Sequence, residues 1–188
     1  MTKDELRKIY LSRRLSLSEI DYHKLSEQIS NLFFSTTDLS SIHTLHVFLP
    51  IESKREPDTW LIVNRIQKEF PHIKIVVPRV LGEEMEHILY ENNEQLKKNK
   101  WQIWEPHYGT LIKPTEIDLV LVPLLTFDEQ GHRIGYGRGY YDRFFKSCRD
   151  NCVKTGLSFF EAEKIINERL EADVMLNHCI TPHRKYSF

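Results

Sequence analysis

The segment 122–143 combines glycine, arginine, tyrosine and aspartate residues at short intervals, and these residue types suit the binding of phosphate groups. Three glycines alternate within it: Gly135, Gly137 and Gly139. Glycine lets the backbone turn its amide groups toward an anion with no side chain in the way. Arg133 and Arg138 add positive charge, and a helix predicted to begin near Tyr140 adds its positive dipole end. The sequence therefore predicts a phosphate-binding loop between a strand and a helix.

A glycine run alone is also typical of a surface loop with solvated arginines, so the neighbouring residues matter. Phe127 and Asp128 precede the turn, and Tyr140, Tyr141 and Asp142 follow the glycines. The pattern P-x-x-x-F-D-x-x-G-x-R-x-G-Y-G-x-G-Y-Y-D resembles the signature of the 5-formyltetrahydrofolate cyclo-ligase family, also called methenyltetrahydrofolate synthetases. The match is densest at 123–143, with weaker similarity along the rest of the chain.

The composition limits the classes of protein to consider. The chain has 188 residues with 26 basic and 27 acidic side chains, which predicts one domain over residues 1–188 and argues against general nucleic-acid or membrane-surface binding. Three cysteines without a C-x-x-C pair indicate free thiols in a reducing compartment, and a zinc site would need two further ligands. With no signal peptide and no membrane-length apolar run, we expect a cytoplasmic protein.

Periodic apolar residues predict alternating helices and strands. Capping patterns at Thr2 and Ser18 predict two N-terminal helices. Further helices are predicted at 59–70, 140–149 and 161–170, and strands at 42–49, 73–78, 87–90, 118–123, 153–159 and 178–181. This order predicts an α/β fold, a three-layer α/β/α sandwich with a mostly parallel sheet. Ligands bind such sheets at the carboxyl ends of strands, where the loops after 49 and 123 could share one rim. Trp101 is expected to pack in the core or at an edge.

The resemblance implies an ATP site. Lys3 and Arg7 match the family's opening K-x-x-x-R, which contacts ATP phosphates, although from the residues alone the first helix presents a solvated basic face. In the signature, residues 133–141 would hold the nucleotide phosphates. The implied ATP-binding residues are Lys3, Arg7, Arg133, Ile134, Gly135, Tyr136, Gly137, Arg138, Gly139, Tyr140 and Tyr141.

The resemblance also implies a folate site. Glu56 stands in E-P-D-T, similar to the family's E-x-[DE]-T, and Trp104 precedes the E-P landmark. The implied folate-binding residues are Leu49, Glu56, Trp104, Tyr136, Gly137, Arg138, Gly139 and Tyr140. The loop from 49 to 56 is longer than in some members, and Arg138 replaces a common glycine or lysine.

By the same resemblance, Asp142 and Asp173 would bind Mg²⁺, and Arg133, Tyr140 and Asp142 would be catalytic. Asn177 stands where an aspartate is common. The implied reaction converts 5-formyltetrahydrofolate and ATP into 5,10-methenyltetrahydrofolate, ADP and phosphate through a phosphorylated formyl intermediate. The expected partners are therefore small molecules, without nucleic acid or membrane, and the protein is expected to be a monomer or a weak homodimer.

Two other classes of function remain open at this stage. A sugar-phosphate isomerase or CoA-transferase-like protein would use a similar sheet but would need a carboxylate base and no nucleotide. A non-catalytic module could bind nucleotide, folate or single-stranded RNA on the tyrosines and arginines. His132 lies inside the loop at a variable turn position and is not expected to be catalytic.

Overall fold

A computed structural model describes all of residues 1–188 and contains four α-helices. They are α1 (Lys3–Leu15), α2 (Glu19–Thr36), α3 (Trp60–Glu69) and α4 (Tyr140–Lys146). The predicted caps form: the Thr2 hydroxyl accepts from the Glu5 amide, and the Ser18 hydroxyl accepts from the Asp21 amide. Both N-terminal helices are thus confirmed. None of the helices combines the length and the apolar character needed to cross a bilayer.

Seven strands form one central sheet, and four short strands form two separate hairpins. The strands are β1 (Thr44–His46), β2 (Lys74–Leu81), β3 (Glu84–Leu89), β4 (Leu96–Lys98), β5 (Trp104–Pro106), β6 (Leu119–Pro123), β7 (Thr126–Phe127), β8 (Arg133–Ile134), β9 (Val153–Leu157), β10 (His178–Ile180) and β11 (Lys185–Ser187). The sheet order is β11-β10-β9-β6-β1-β2-β3. The five inner strands are parallel, and only the two outer strands run antiparallel to their neighbours.

Successive residues of β6 face opposite sides of this sheet, and each side is covered by helices. Leu119 and Leu121 belong to a core that includes buried residues of α2 and α3. Val120 and Val122 belong to a second core with Phe144 of α4. A strand buried on both faces reads as a continuous apolar run, which is why the β6 segment was recognisable. The predicted three-layer α/β/α architecture is confirmed.

The chain leaves β1 and β6 in opposite directions. From β1 it crosses through α3 to β2, and from β6 it crosses through α4 to β9 on the other side of the sheet. The loops that follow these two neighbouring strands begin at the crevice outside their carboxyl ends, the place where doubly wound sheets bind ligands.

The prediction of a helix at 161–170 is wrong. This segment is irregular because its backbone is hydrogen-bonded to the loop after β7. The Glu163 amide donates to the Phe127 carbonyl (2.8 Å), and the Ile166 amide donates to the Asp128 carboxylate (3.0 Å). These tertiary bonds replace the helical ladder.

Other predicted bounds also differ. The helix predicted at 140–149 ends at Lys146, and the first strand covers only Thr44–His46, while β2 and β3 form a longer hairpin than the sequence suggested. Trp101 does not pack in the core, since it is 62 % exposed.

Candidate active site

A short hairpin of β7 and β8 carries Arg133 to the crevice. The buried carboxylate of Asp128 shapes its turn by accepting bonds from the amides of Gln130 (3.0 Å) and His132 (2.9 Å). Its second oxygen accepts from the Ile166 amide and lies 3.5 Å from Arg169. A buried carboxylate needs such partners, so Asp128 fixes the direction in which the chain enters the glycine loop.

The glycine loop packs directly against α1. Gly137 has φ +84°, and a Cβ built there would lie 3.1 Å from Cζ of Arg7. The Arg7 Nε donates to the Gly135 carbonyl (3.1 Å), and Gly139, the N-cap of α4, has φ +69°. These positions require glycine, because L-residues are disfavoured at such φ and a side chain at 137 would displace the guanidinium.

Two ion pairs stand beside the loop. Arg133 donates to Asp142 (2.7 Å), which also accepts from the Val174 amide (3.1 Å), and Lys3 donates to Asp173 (2.5 Å). Val174 directly follows Asp173 in the chain, so its bond to Asp142 places the carboxylates of Asp142 and Asp173 in one cluster. We call Lys3, Arg7, Arg133, Asp142 and Asp173 the phosphate pole.

Burial alone raises the pKa of Asp173, but the hydrogen bonds from Lys3 and the Leu170 amide outweigh it and hold this pKa below its usual value. The carboxylate is therefore ionised at neutral pH. Positive charge, backbone amides and the ionised Asp173 carboxylate together suit a phosphate group that carries a metal ion.

The phosphate pole fits Mg²⁺ in its donor chemistry. The Oδ2 atom of Asp142 and the Oδ1 atom of Asp173 accept no hydrogen bond from the protein, which leaves one hard oxygen ligand on each. No group of three or more metal-binding side chains exists in the chain. This is the usual arrangement for Mg²⁺, which takes one or two carboxylates and completes its shell with substrate phosphates and water.

A second cluster lies on the other side of the glycine loop, around the carboxylate of Glu56. Glu56 is 2 % exposed and accepts from the Ile51 amide (2.7 Å) and the Tyr136 hydroxyl (2.7 Å). Arg14 donates to the Tyr136 hydroxyl and to the carbonyls of Lys54 (2.7 Å) and Leu124 (3.1 Å). We call Arg14, Lys54, Glu56 and Tyr136 the carboxylate pole.

Burial dominates the electrostatics of this pole. It raises the pKa of Glu56, and Arg14, the Ile51 amide, Tyr136 and Lys54 offset only part of that effect. Burial also lowers the pKa of Lys54, whose ammonium lies 3.8 Å from the centre of the Tyr136 ring. Neighbouring positive charges of Arg14 and Arg138 lower this pKa further, while Glu56 raises it. The pole thus combines a poorly solvated carboxylate with an aromatic face.

Seven of the expected site residues belong to these two poles: Lys3, Arg7, Arg133, Asp142, Asp173, Glu56 and Tyr136. Trp104 in β5 donates from its indole to Glu52 (3.2 Å) in the loop after β1, and Leu49 is buried at the start of that loop. Tyr140 is not a member of either pole. Its hydroxyl donates to the Gly82 carbonyl (2.9 Å) in the β2–β3 turn. The Tyr141 hydroxyl is buried without a partner, within the fields of both Glu56 and Arg133.

Comparison with known proteins identifies the family. Residues 1–182 match the 5-formyltetrahydrofolate cyclo-ligase family. The chain belongs to this family. It is accordingly an enzyme of the ligase class.

Relatives of the family support the assignment along the whole chain. The 5-formyltetrahydrofolate cyclo-ligase of Mycoplasma genitalium is 27 % identical over 94 % of this chain and 97 % of its own length. The enzyme of Escherichia coli K12 is 24 % identical over 94 % of this chain and 98 % of its own. The solution structure of the Aquifex aeolicus 5,10-methenyltetrahydrofolate synthetase superposes with a TM-score of 0.86 at 28 % identity, covering 100 % of this chain and 93 % of that protein.

Three residues that support the site were not predicted to belong to it. Arg14, Lys54 and Asp128 were not among the predicted site residues, yet each holds a signature residue in place. Asp128 carries a visible signal, since it follows Phe127 in the motif itself. The sequence signal for Arg14 is weaker: at about 100° per residue it falls on the same side of α1 as Lys3 and Arg7. For Lys54 we find none, because a lysine in a polar loop is ordinarily solvated.

Proposed function

We propose that the protein converts 5-formyltetrahydrofolate and ATP into 5,10-methenyltetrahydrofolate, ADP and phosphate in a Mg²⁺-dependent reaction, with residues 1–188 acting as one unit. The observation that carries this proposal is the arrangement of two chemically different poles on one loop. Arg133 lies at the phosphate pole and Tyr136, three residues later, contacts Glu56 at the carboxylate pole. Such a loop can hold a nucleotide and a polar heterocycle side by side.

The first chemical step joins the two substrates. The N-formyl oxygen of the folate attacks the γ-phosphorus of ATP, ADP leaves, and the formyl carbon becomes a good electrophile. Phosphoryl transfer demands positioning and charge neutralisation rather than covalent catalysis by the protein. Lys3, Arg7, Arg133 and Arg138 are the residues we assign to neutralisation. Mg²⁺ bound to Asp142 and Asp173 would shield the phosphate oxygens.

The second step closes the ring. The folate N10 attacks the activated carbon, the phosphate departs, and N10 loses its proton. We assign Glu56 to the folate, because a buried carboxylate with a raised pKa favours a polar N–H donor as its partner. Tyr136 and Trp104 present aromatic faces that suit the flat rings of the substrate, and Leu49 belongs to the core cluster against which Trp104 packs.

The direct test is to mix the protein with 5-formyltetrahydrofolate and Mg-ATP and to follow the absorbance band of the methenyl product. We expect a rise that requires both ATP and Mg²⁺. Nucleotide binding without product would favour a phosphate-binding relative with another substrate, and failure to bind either ligand would remove the phosphate-loop assignment.

The metal role has its own variant. Asp142→Asn is expected to lower turnover at least tenfold at saturating Mg²⁺, because it removes the negative charge that Mg²⁺ and Arg133 require. Asp150→Asn, an exposed aspartate beyond the end of α4, is the matched control and is expected to keep full turnover. Full turnover of Asp142→Asn would contradict the assignment.

A further inference from the structure

Lys54 is the member of the carboxylate pole whose side-chain donors are unused. Glu56 accepts a hydrogen bond on each carboxylate oxygen, and Arg14 donates from each of its three guanidinium nitrogens. The Tyr136 hydroxyl both donates and accepts. The Lys54 ammonium makes no hydrogen bond and no salt bridge within the chain, and its Nζ atom lies 3.8 Å from the centre of the Tyr136 ring. The pole therefore presents one charged donor that the protein itself does not satisfy.

The acidic residue in the same turn is already occupied. Lys54 ends a short 3-10 turn, Glu52–Lys54, in the loop after β1. One carboxylate oxygen of Glu52 accepts from the Trp104 indole (3.2 Å) and the other accepts from the Lys98 ammonium (3.3 Å). Glu52 thus faces the β4–β5 hairpin and leaves Lys54 without a counterion.

The charge of the pole adds to this imbalance. The guanidinium carbon of Arg14 lies 5.7 Å from the centre of the same Tyr136 ring, so two cations share one aromatic ring, and Glu56 is the only carboxylate of the pole. Burial and the neighbouring arginines lower the pKa of Lys54. A half-buried ammonium without an acceptor is poorly stabilised, and an anion with free oxygen atoms would stabilise it.

We propose that Lys54 is a substrate-binding residue whose ammonium pairs with an oxyanion of the folate substrate. This inference rests on the proposed function. The substrate supplies two such groups: the carboxylates of its glutamyl part, and the phosphoryl group that it acquires in the first step. Both offer oxygen atoms that suit a charged N–H donor. Position 54 lies in the loop that is longer than in some members of the family, and the resemblance assigns it no role.

The variants remove the charge and keep the packing. Lys54→Met keeps an apolar chain of similar length beside the Tyr136 ring, and Lys54→Arg keeps the positive charge. Lys68→Met is the matched control, because Lys68 is an exposed lysine in the last turn of α3, which leads to the amino end of β2 and away from the crevice. Circular dichroism spectra should show that all three variants are folded.

Two measurements distinguish the two oxyanions: calorimetric titration with 5-formyltetrahydrofolate in the absence of ATP, and turnover with Mg-ATP. If a carboxylate is the partner, Lys54→Met should raise Kd about tenfold, whereas 5-formyltetrahydropteroate, which lacks the glutamyl part, should bind the variant and the wild type equally. If the phosphoryl group is the partner, Kd should stay unchanged and kcat should fall about tenfold. In both cases Lys54→Arg should recover part of the loss, and Lys68→Met should behave as the wild type.

Three results would overturn the inference while leaving the proposed function intact, because the wild type would still bind and convert its substrate. The first is that Lys54→Met keeps both Kd and kcat within about twofold of the wild type. The second is an equal loss of binding for the folate and the pteroate, which would indicate a contact with the rings. The third is an equal loss for Lys54→Arg and Lys54→Met. A wild type that neither binds nor converts 5-formyltetrahydrofolate would overturn the proposed function and this inference with it.

Discussion

Replacing Arg14 by methionine tests the carboxylate pole most directly. Arg14 is 2 % exposed, and its guanidinium joins the end of α1 to the loop after β1, the end of β6 and the glycine loop. Methionine keeps the apolar part of the side chain and removes all three hydrogen bonds and the charge. Glu56 would then lose the cation that most offsets its burial, which raises its pKa further.

The expected loss in the free energy of unfolding follows from the number of hydrogen bonds that Arg14 makes. A hydrogen bond from a charged donor contributes about 1.5 to 3 kcal/mol, and a broken buried charge network costs about 3 to 5 kcal/mol. Three bonds at the lower value give about 4.5 kcal/mol, inside that range. With a urea slope of about 2 kcal/mol per molar, the unfolding midpoint should fall by about 2 M.

The matched control is Arg13→Met, one residue away on the same helix. Arg13 is exposed and stacks over the rings of Tyr10 (4.8 Å) and Phe160 (4.4 Å). Losing an exposed cation–π contact costs only about 0.5 to 1 kcal/mol. Urea unfolding followed by circular dichroism measures both variants. Equal losses for Arg13→Met and Arg14→Met would refute the buried network, whereas Arg14→Lys should recover part of the stability.

Two further predictions concern the glycine loop and pH. Gly137→Ala should raise KM for ATP roughly tenfold, since alanine at positive φ costs about 1 to 2 kcal/mol and its methyl would press on Arg7; an unchanged KM would contradict this packing of the loop. Burial lowers the pKa of His87 to about 4, below the unfolded value, so its stability contribution is present above about pH 6.5 and is lost on acidification. Between pH 7.5 and 5 the free energy of unfolding should fall by about 2 kcal/mol more in the wild type than in His87→Phe; equal slopes would contradict this.

The sequence was sufficient for the fold because its strands are buried on both faces. Runs such as 118–123 consist mainly of branched apolar residues. Because these runs alternate along the chain with segments of helical periodicity, few fold architectures are compatible with the sequence. The glycine loop was predictable for a related reason, since alternating glycines between a strand and a helix have few structural uses. Its position at the rim was predictable because the loop follows the carboxyl end of a strand, where parallel sheets bind ligands.

Tertiary hydrogen bonds explain what the sequence could not predict. The segment 161–170 has helical periodicity, but the buried Asp128 binds its backbone, and no local pattern shows that a distant carboxylate competes for those amides. Lys54 appears in the sequence as one of several lysines in polar loops. Its contact with the Tyr136 ring arises only when the loops after β1 and β6 meet.

Helix α1 explains how the two poles keep their relative position. At about 100° per residue, Lys3, Arg7 and Arg14 fall within about 40° of one another around the axis, whereas Arg13 lies about 100° away from Arg14. The first turns of the helix therefore contact the phosphate pole and its last turn contacts the carboxylate pole. Eleven residues at 1.5 Å each set these contacts about 16 Å apart along the axis. A single rigid helix thus fixes the distance between the two poles, so neither can shift without moving the other.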